Sequence, residues 1–383
     1  MRIAYCTNVR LPSERAHGHQ IAQVCDALHA SGHAVTIFAP YRHNVVTKDF
    51  WSYYSLSRSI HCSYLGMFDP IACPFLPKMI RLWVLNQMLR RGLRRVLDRH
   101  SFDVAYTRSP ALLPALLSSG VPVILELHQV PRLRHRRFVR LCNQVQLVVA
   151  LTSSMAEKLQ SLGVERTKIF VAGDAVDLQR FLSLPAKEEA RREFGVQTSR
   201  VVLGYVGRLK TLGMEKGVDL LLQAVARDSR FCAFIVGGPE NDCAFYRQRA
   251  HSLGLTSQDV HFTGEVSMGL VPSAISACDI ATMPFPDLPH YRHCMSPLKM
   301  FEYMASGVPV VGSGIGSVSE IFTERNAFLF DPKNKKEMLQ VFLSARTNED
   351  ERKKRAEEAR RDVVNYTWEK RAETILTFLK KHV

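Results

Sequence analysis

An α/β chain of two successive doubly wound units is what the sequence predicts, and three observations carry it. Short apolar runs alternate with segments of helical periodicity, the pattern of a parallel sheet covered on both faces. The 383 residues are more than one ordinary core fills and suit two domains. The alternation then begins again at Val201, after the charged segment Lys187–Glu193. Composition fits a folded protein, with 46% hydrophobic and 23% charged residues. The nine cysteines stand at irregular spacings without a Cys-x-x-Cys or a cluster with His, which argues for reduced thiols and against a disulfide frame or a zinc site. The sequence opens directly on a strand, so no signal peptide is expected. No apolar run approaches the roughly 20 residues of a spanning helix, and the expected location is the cytoplasm.

In the first half, the strand at residues 2–7 leads through a polar loop, 8–20, into a helix with Ile21, Val24, Cys25 and Leu28 at helical spacing. That loop holds His17, Gly18 and His19, and glycine there allows close backbone approach; the plain alternative is an ordinary strand-to-helix turn. A second strand, 35–39, follows, while residues 40–75 show no periodicity and are expected to be irregular. Residues 75–99 interleave Phe75, Met79, Ile80 and Trp83 with Arg81, Arg90, Arg91, Arg94 and Arg95. Two readings stand: a helix at the headgroup level of a membrane, or a core helix with a solvated arginine face. A second basic run spans Arg132–Arg140. Residues 1–180 carry 23 Lys and Arg against 11 Asp and Glu, leaving 28 against 25 for the rest. Such an excess attracts nucleic acid and anionic membrane alike. Further strands are expected at 104–107, 122–127, 147–151 and 168–171, with Ser153 capping a helix between the last two. His128 lies just beyond a strand's carboxyl end, where open α/β sheets bind ligands, although a lone histidine is more often structural.

The second half opens on the buried strand Val201–Val206, with Gly207-Arg208 at its end. A loop, 209–215, leads to Lys216-Gly217 and a helix carrying Val218, Leu221, Leu222 and Val225. Arg208 offers a planar fork and Lys216 a point charge; a solvated pair at a turn is the bland reading. Strands are expected up to Val236, ending in the glycine turn Gly237-Gly238, and at 260–264 and 279–284. From Cys294 the chain reads as a loop that opens at Pro297 into a helix closed by Gly307, then a buried strand. Glu302 is thereby expected early in the helix, near its positive end, beside backbone amides at Ser296 and Leu298 that can receive a phosphate. The glycine-rich stretch 312–320 arrives too late in the sheet for a dinucleotide fingerprint. The remainder, from Asn334, is helical.

These motifs carry a resemblance. The Ser296-Pro-Leu-Lys-Met-Phe-Glu-Tyr-Met-Ala305 stretch, the Gly207-Arg208 and Lys216-Gly217 pairs and the Val236-Gly-Gly-Pro239 turn resemble the retaining family 4 glycosyltransferases of GT-B fold. That family's hallmark is a Glu, seven residues and a second Glu; Glu302 stands at the second and Cys294 at the first. The resemblance implies two Rossmann-like domains facing a central cleft: an acceptor-side domain at 1–175, a nucleotide-sugar-binding domain at 176–365, and a helix at 366–383 crossing back. It implies a nucleotide diphosphate sugar, a UDP- or GDP-sugar, as substrate. Glu302 would take ribose hydroxyls, Arg208 and Lys216 the diphosphate, with Gly237, Gly238, Ser296 and Leu298 lining the donor. His128 would approach the sugar, with His128, Arg208 and Lys216 as the catalytic set, and the loop at His17, Gly18 and His19 would face the acceptor. The reaction would be retaining transfer of a hexose to a hydroxyl in bacterial surface or lipid-linked glycan assembly. No Asp-x-Asp occurs, so neither metal nor cofactor is expected. The expected partners are the donor, a glycan or lipid-linked acceptor and an anionic membrane surface on the inner face of the cytoplasmic membrane, with no nucleic acid. A nucleotide-sugar epimerase of the same fold, a glycosyl phosphorylase and a basic nucleic-acid-binding module are the rivals.

Overall fold

Seven parallel strands form the sheet of the first unit: β1 (Arg2–Cys6), β2 (Ala34–Pro40), β3 (His61–Leu65), β4 (Val104–Thr107), β5 (Val123–Leu127), β6 (Leu147–Ala150) and β7 (Ile169–Val171). Their order is β3-β2-β1-β4-β5-β6-β7. This unit comprises Met1–Asp174 and Trp368–Val383. The structure is a computed structural model that describes every residue except 57, 58, 67, 132–134, 212 and 383. The start of the Arg132–Arg140 basic run and Leu212 of the 209–215 loop thus lie outside the described residues. Every residue of β4, β5 and β6 is buried, which is why these strands read as unbroken apolar runs.

Three expectations about this half need correction. Residues 40–75 are not irregular: they hold β3, the helix Phe50–Tyr54 and a 3-10 turn at Pro70–Ala72. As an edge strand, β3 buries only Cys62 and shows no apolar run. The helix after β6 is capped by Thr152 instead of Ser153, the Thr152 hydroxyl accepting the Met155 N–H at 3.0 Å. The segment holding His17, Gly18 and His19 is not loop; it is the first turn of the helix Ala16–Ala30. The basic stretch forms one helix, Lys78–Arg99, that buries a stripe of Leu85, Leu89, Leu93 and Leu97. Its first turns instead leave Met79, Ile80 and Trp83 exposed. Arg90 Nε donates to the Ala111 carbonyl at 2.7 Å and Arg94 Nε to the Ser118 hydroxyl at 2.9 Å, so two of its arginines also fix the helix to its neighbours.

The second unit, Ala175–Thr367, contains β8 (Val201–Val206), a small antiparallel hairpin of β9 (Lys210–Thr211) and β10 (Met214–Glu215), β11 (Phe231–Val236), β12 (Val260–Gly264), β13 (Ile280–Met283), β14 (Val310–Ser313) and β15 (Phe328–Phe330). Its sheet is parallel, in the order β12-β11-β8-β13-β14-β15. The hairpin replaces the loop expected at 209–215. In each sheet the strand order turns back at the unit's first strand. That reversal leaves a crevice beyond the carboxyl ends of β1 and β4, and another beyond β8 and β13, the positions where such sheets take ligands.

Candidate active site

Glu126 sits inside β5, 0% exposed, in a strand whose other residues are all apolar. A buried carboxylate requires hydrogen bonds and countercharge, and the first unit supplies both. Gln20 Nε2 donates to Glu126 Oε1 at 2.5 Å, the Tyr106 hydroxyl to Oε2 at 2.5 Å, and Arg371 Nη2, from the helix Trp368–His382, to Oε2 at 3.0 Å. His128 Nε2 lies 2.7 Å from Oε1. Burial opposes the charge, but Arg371, then His128 and Arg108, outweigh it and hold the carboxyl well below the usual range. Desolvation and then Arg108 push His128 down to about 4, against the pull of Glu126. The imidazole is therefore neutral near pH 7. Because a carboxylate can only accept, Nε2 carries the proton and Nδ1 is left as an acceptor.

Arg108, just past β4, donates to Gln20 Oε1 at 2.6 Å and lies 3.5 Å from the His17 carbonyl oxygen. Burial, Arg108 and Arg15 push His17 down to about 4 as well. The first sheet's crevice is thus lined by two neutral histidines and one guanidinium. Gly18 is needed for packing: a Cβ there would lie 2.3 Å from the Tyr54 hydroxyl. Asp174, also buried, is pushed up to about 7 by desolvation, with Arg371 opposing.

The crevice of the second sheet is cationic. Gly207 and Arg208 follow β8, and Gly237 and Gly238 follow β11; at Gly237, with φ of 110°, a Cβ would stand 2.5 Å from the Gly207 carbonyl oxygen. Only glycine fits there. Gly217 opens the helix Val218–Arg227 with φ of 87°. Next to it Lys216 is pushed down to about 8 by burial and then by Arg208. Lys299, 7% exposed, points its ammonium at the Tyr205 ring, 3.3 Å from the centroid, and has no hydrogen-bond partner. Burial and then Lys216 hold it well below the usual lysine range, with Glu302 opposing. Among the described residues, the side chains of Arg208 and Lys216 also form no ion pair. Glu302 is the carboxylate of this group. Its Oε1 is 3.5 Å from Arg180 Nη1, and burial raises its pKa in spite of Arg180 and Lys299.

Glu302 is not at the helix start. It is the fifth of nine residues in Leu298–Ser306, just past the first turn where the dipole acts strongly, so its setting is fixed by burial and the neighbouring cations. Ser296 is buried and Leu298 half-buried at the amino end of this helix, on either side of the N-cap Pro297. The structure therefore gathers Arg208, Lys216 and Glu302 with Lys299, and gathers His128 and His17 around Arg108. Among the described residues, no group of three or more His, Cys, Asp and Glu is placed to hold a metal ion.

Two family models match. Residues 18–180 fit Glycosyltransferase Family 4 and residues 200–348 fit Glycosyl transferases group 1, about four fifths of the chain between them. The chain belongs to these glycosyltransferases. Among curated relatives, this glycosyltransferase is 27% identical to a D-inositol 3-phosphate glycosyltransferase of Corynebacterium urealyticum, over 73% of this chain and 66% of the relative. It is 26% identical to a putative teichuronic acid biosynthesis glycosyltransferase, TuaC, of Bacillus subtilis, over 66% and 61%. The matched chain thus spans slightly less than two thirds of these relatives' length. Among solved structures it resembles HepE of Anabaena in complex with UDP-glucose, with TM-score 0.74 at 18% identity over 100% of both chains. Sucrose-phosphate synthase of Thermosynechococcus elongatus gives TM-score 0.78 at 15% identity over 99% and 98%. These likenesses show the GT-B fold.

Sequence reasoning missed Glu126, Arg108, Arg371 and Lys299. A signal for Glu126 was present: a carboxylate inside the run Val-Ile-Leu-Glu-Leu must be paired if the strand is central. Lys299, one turn before Glu302 on the same helix face, was equally readable. Arg371 carried no local signal.

Proposed function

We propose that this glycosyltransferase moves a hexose-type unit from a nucleotide diphosphate sugar to a hydroxyl of a surface or lipid-linked glycan, with retained anomeric configuration. The observation that carries the reading is the uncompensated cluster of Arg208, Lys216 and Lys299 beside Glu302, at the crevice of the second sheet. Arg208, Lys216 and Lys299, beside a carboxylate that Arg180 approaches at 3.5 Å, suit a diphosphate next to a ribose. The UDP-glucose complex of the Anabaena relative supports a UDP-sugar, and the teichuronic acid relative supports an acceptor in a surface polymer.

As the glycosidic bond breaks, negative charge grows on the diphosphate, and preorganised cations stabilise it there more than in the ground state. Arg208 supplies a permanent charge on an exposed arm. Lys216 and Lys299, held in a desolvated setting, gain most from meeting an anion. Glu302 accepts from ribose hydroxyls. Neutral His128, oriented by Glu126, offers Nδ1 to a sugar hydroxyl. The departing phosphate receives the acceptor proton, and the protein cations take the place of a metal.

Calorimetric titration with UDP, GDP and ADP tests the reading, with uridine as control. One diphosphate should bind. Lys299→Met, which keeps the side chain's bulk, should weaken it about tenfold, roughly the 1.5 kcal/mol of a charged hydrogen bond, and leave uridine unchanged. A wild-type protein that binds none of the three nucleotides would remove the donor assignment. Turnover should persist in excess EDTA, and incubation with donor alone should yield no epimer.

A further inference from the structure

Ten of the fifteen large hydrophobic side chains exposed among the described residues lie between Tyr41 and Trp83. The densest group surrounds the amino end of the Lys78–Arg99 helix: Phe75 is 92% exposed, Met79 77%, Trp83 62% and Phe68 55%, with Ile80 beside them. These residues belong to one structural piece, because the turn at Pro70–Ala72 is tied to the helix by Arg81 Nη1, which donates to the Ile71 carbonyl at 2.9 Å. A soluble protein rarely leaves so many aromatic and long aliphatic side chains together in water without a partner.

The partner's chemistry follows from what lies further along the same helix. Eleven residues make three turns, so Arg91 and Arg94 stand over the same side as Ile80 and Trp83. Burial and then Arg137, on the helix His135–Cys142, disfavour the charge of Arg90. Asp69, the carboxylate closest in sequence to the apolar group, is paired with Arg42 at 3.5 Å. An apolar end followed by a cationic flank complements a bilayer with anionic headgroups, where rings and aliphatic chains enter the acyl boundary and arginines meet phosphates. Among the described residues no helix is long and apolar enough to cross a membrane. We propose that the amino end of the Lys78–Arg99 helix, with Phe68 and Phe75, docks the protein on the surface of an anionic lipid bilayer. The inference is independent of the donor assignment, since lipid binding is read without turnover.

Trp83 makes the proposal directly testable. The chain has three tryptophans. Trp368 is buried and Trp51 is half-buried, with its indole N–H donating to the Ile60 carbonyl, so Trp83 is the one placed to enter lipid. The full chain is mixed with vesicles of phosphatidylcholine alone or with about one third phosphatidylglycerol. Expected are co-sedimentation with the anionic vesicles only, a blue shift of emission, and quenching by lipids brominated near the headgroup. Trp83→Phe should remove the shift and quenching while keeping most of the binding. Phe75→Ser with Met79→Ser, both at exposed positions and so neutral for folding, should weaken binding at least about tenfold. Absence of binding to anionic vesicles, equal binding to neutral ones, or binding without a change in Trp83 emission overturns the proposal. Vesicles that fail to bind while duplex DNA does would give the basic face to nucleic acid and end the bilayer assignment.

Discussion

Lys216 has its charge set by its surroundings. Burial and Arg208 lower it to about 8, so it is protonated below that value and neutral above. A diphosphate binds the protonated form better. Its affinity is therefore fully developed below about pH 8 and declines as the pH rises through that value, well before an ordinary lysine would titrate. Titrations with UDP between pH 6.5 and 9.5 should show this decline, and Lys216→Arg should flatten it, because a guanidinium keeps its proton throughout. A wild-type affinity independent of pH across that range would separate Lys216 from the diphosphate.

The helix Trp368–His382 is held to the first sheet by a buried ion pair. Arg371 and Glu126 have side chains 5% and 0% exposed, and Arg371 also donates from Nε to the Gly173 carbonyl at 2.6 Å. Arg371→Met leaves Glu126 charged and short of a partner, which should destabilise the first unit by about 3–5 kcal/mol in urea unfolding. Adding Glu126→Gln should restore part of that loss; an undiminished deficit in the double variant would argue against the pair. The sequence was legible wherever structure is local. Strand β8, the helix after Gly217 and the Gly307 stop of the Leu298–Ser306 helix all follow from apolar runs and glycine punctuation. The two-sheet architecture follows from their alternation. What could not be read was the assembly around Glu126: apart from His128, two residues on, its partners Gln20, Tyr106 and Arg371 come from three separate elements, and no local pattern links them. Edge strand β3 was hidden for a different reason, being half in solvent and lacking an apolar run.

All three tryptophans lie in the first unit, so tryptophan fluorescence follows that unit alone while far-ultraviolet circular dichroism follows both. A chain stopped at Thr367 loses Arg371 and the buried Trp368, Ile375, Leu376 and Leu379, all of them from the first unit. Its fluorescence transition, now reporting Trp51 and Trp83, should move to much lower urea, while a second transition in the dichroism, from Ala175–Thr367, should stay in place. A fluorescence midpoint equal to that of the full chain would show that the helix contributes nothing to the first unit. The same division orders events on the ribosome. Residues 1–174 emerge first, yet the helix that closes over Glu126 is translated only after Ala175–Thr367 has been made. The second unit can reach its native state during synthesis, whereas the first must wait, holding an acidic strand without its cation, until Trp368–His382 has been made.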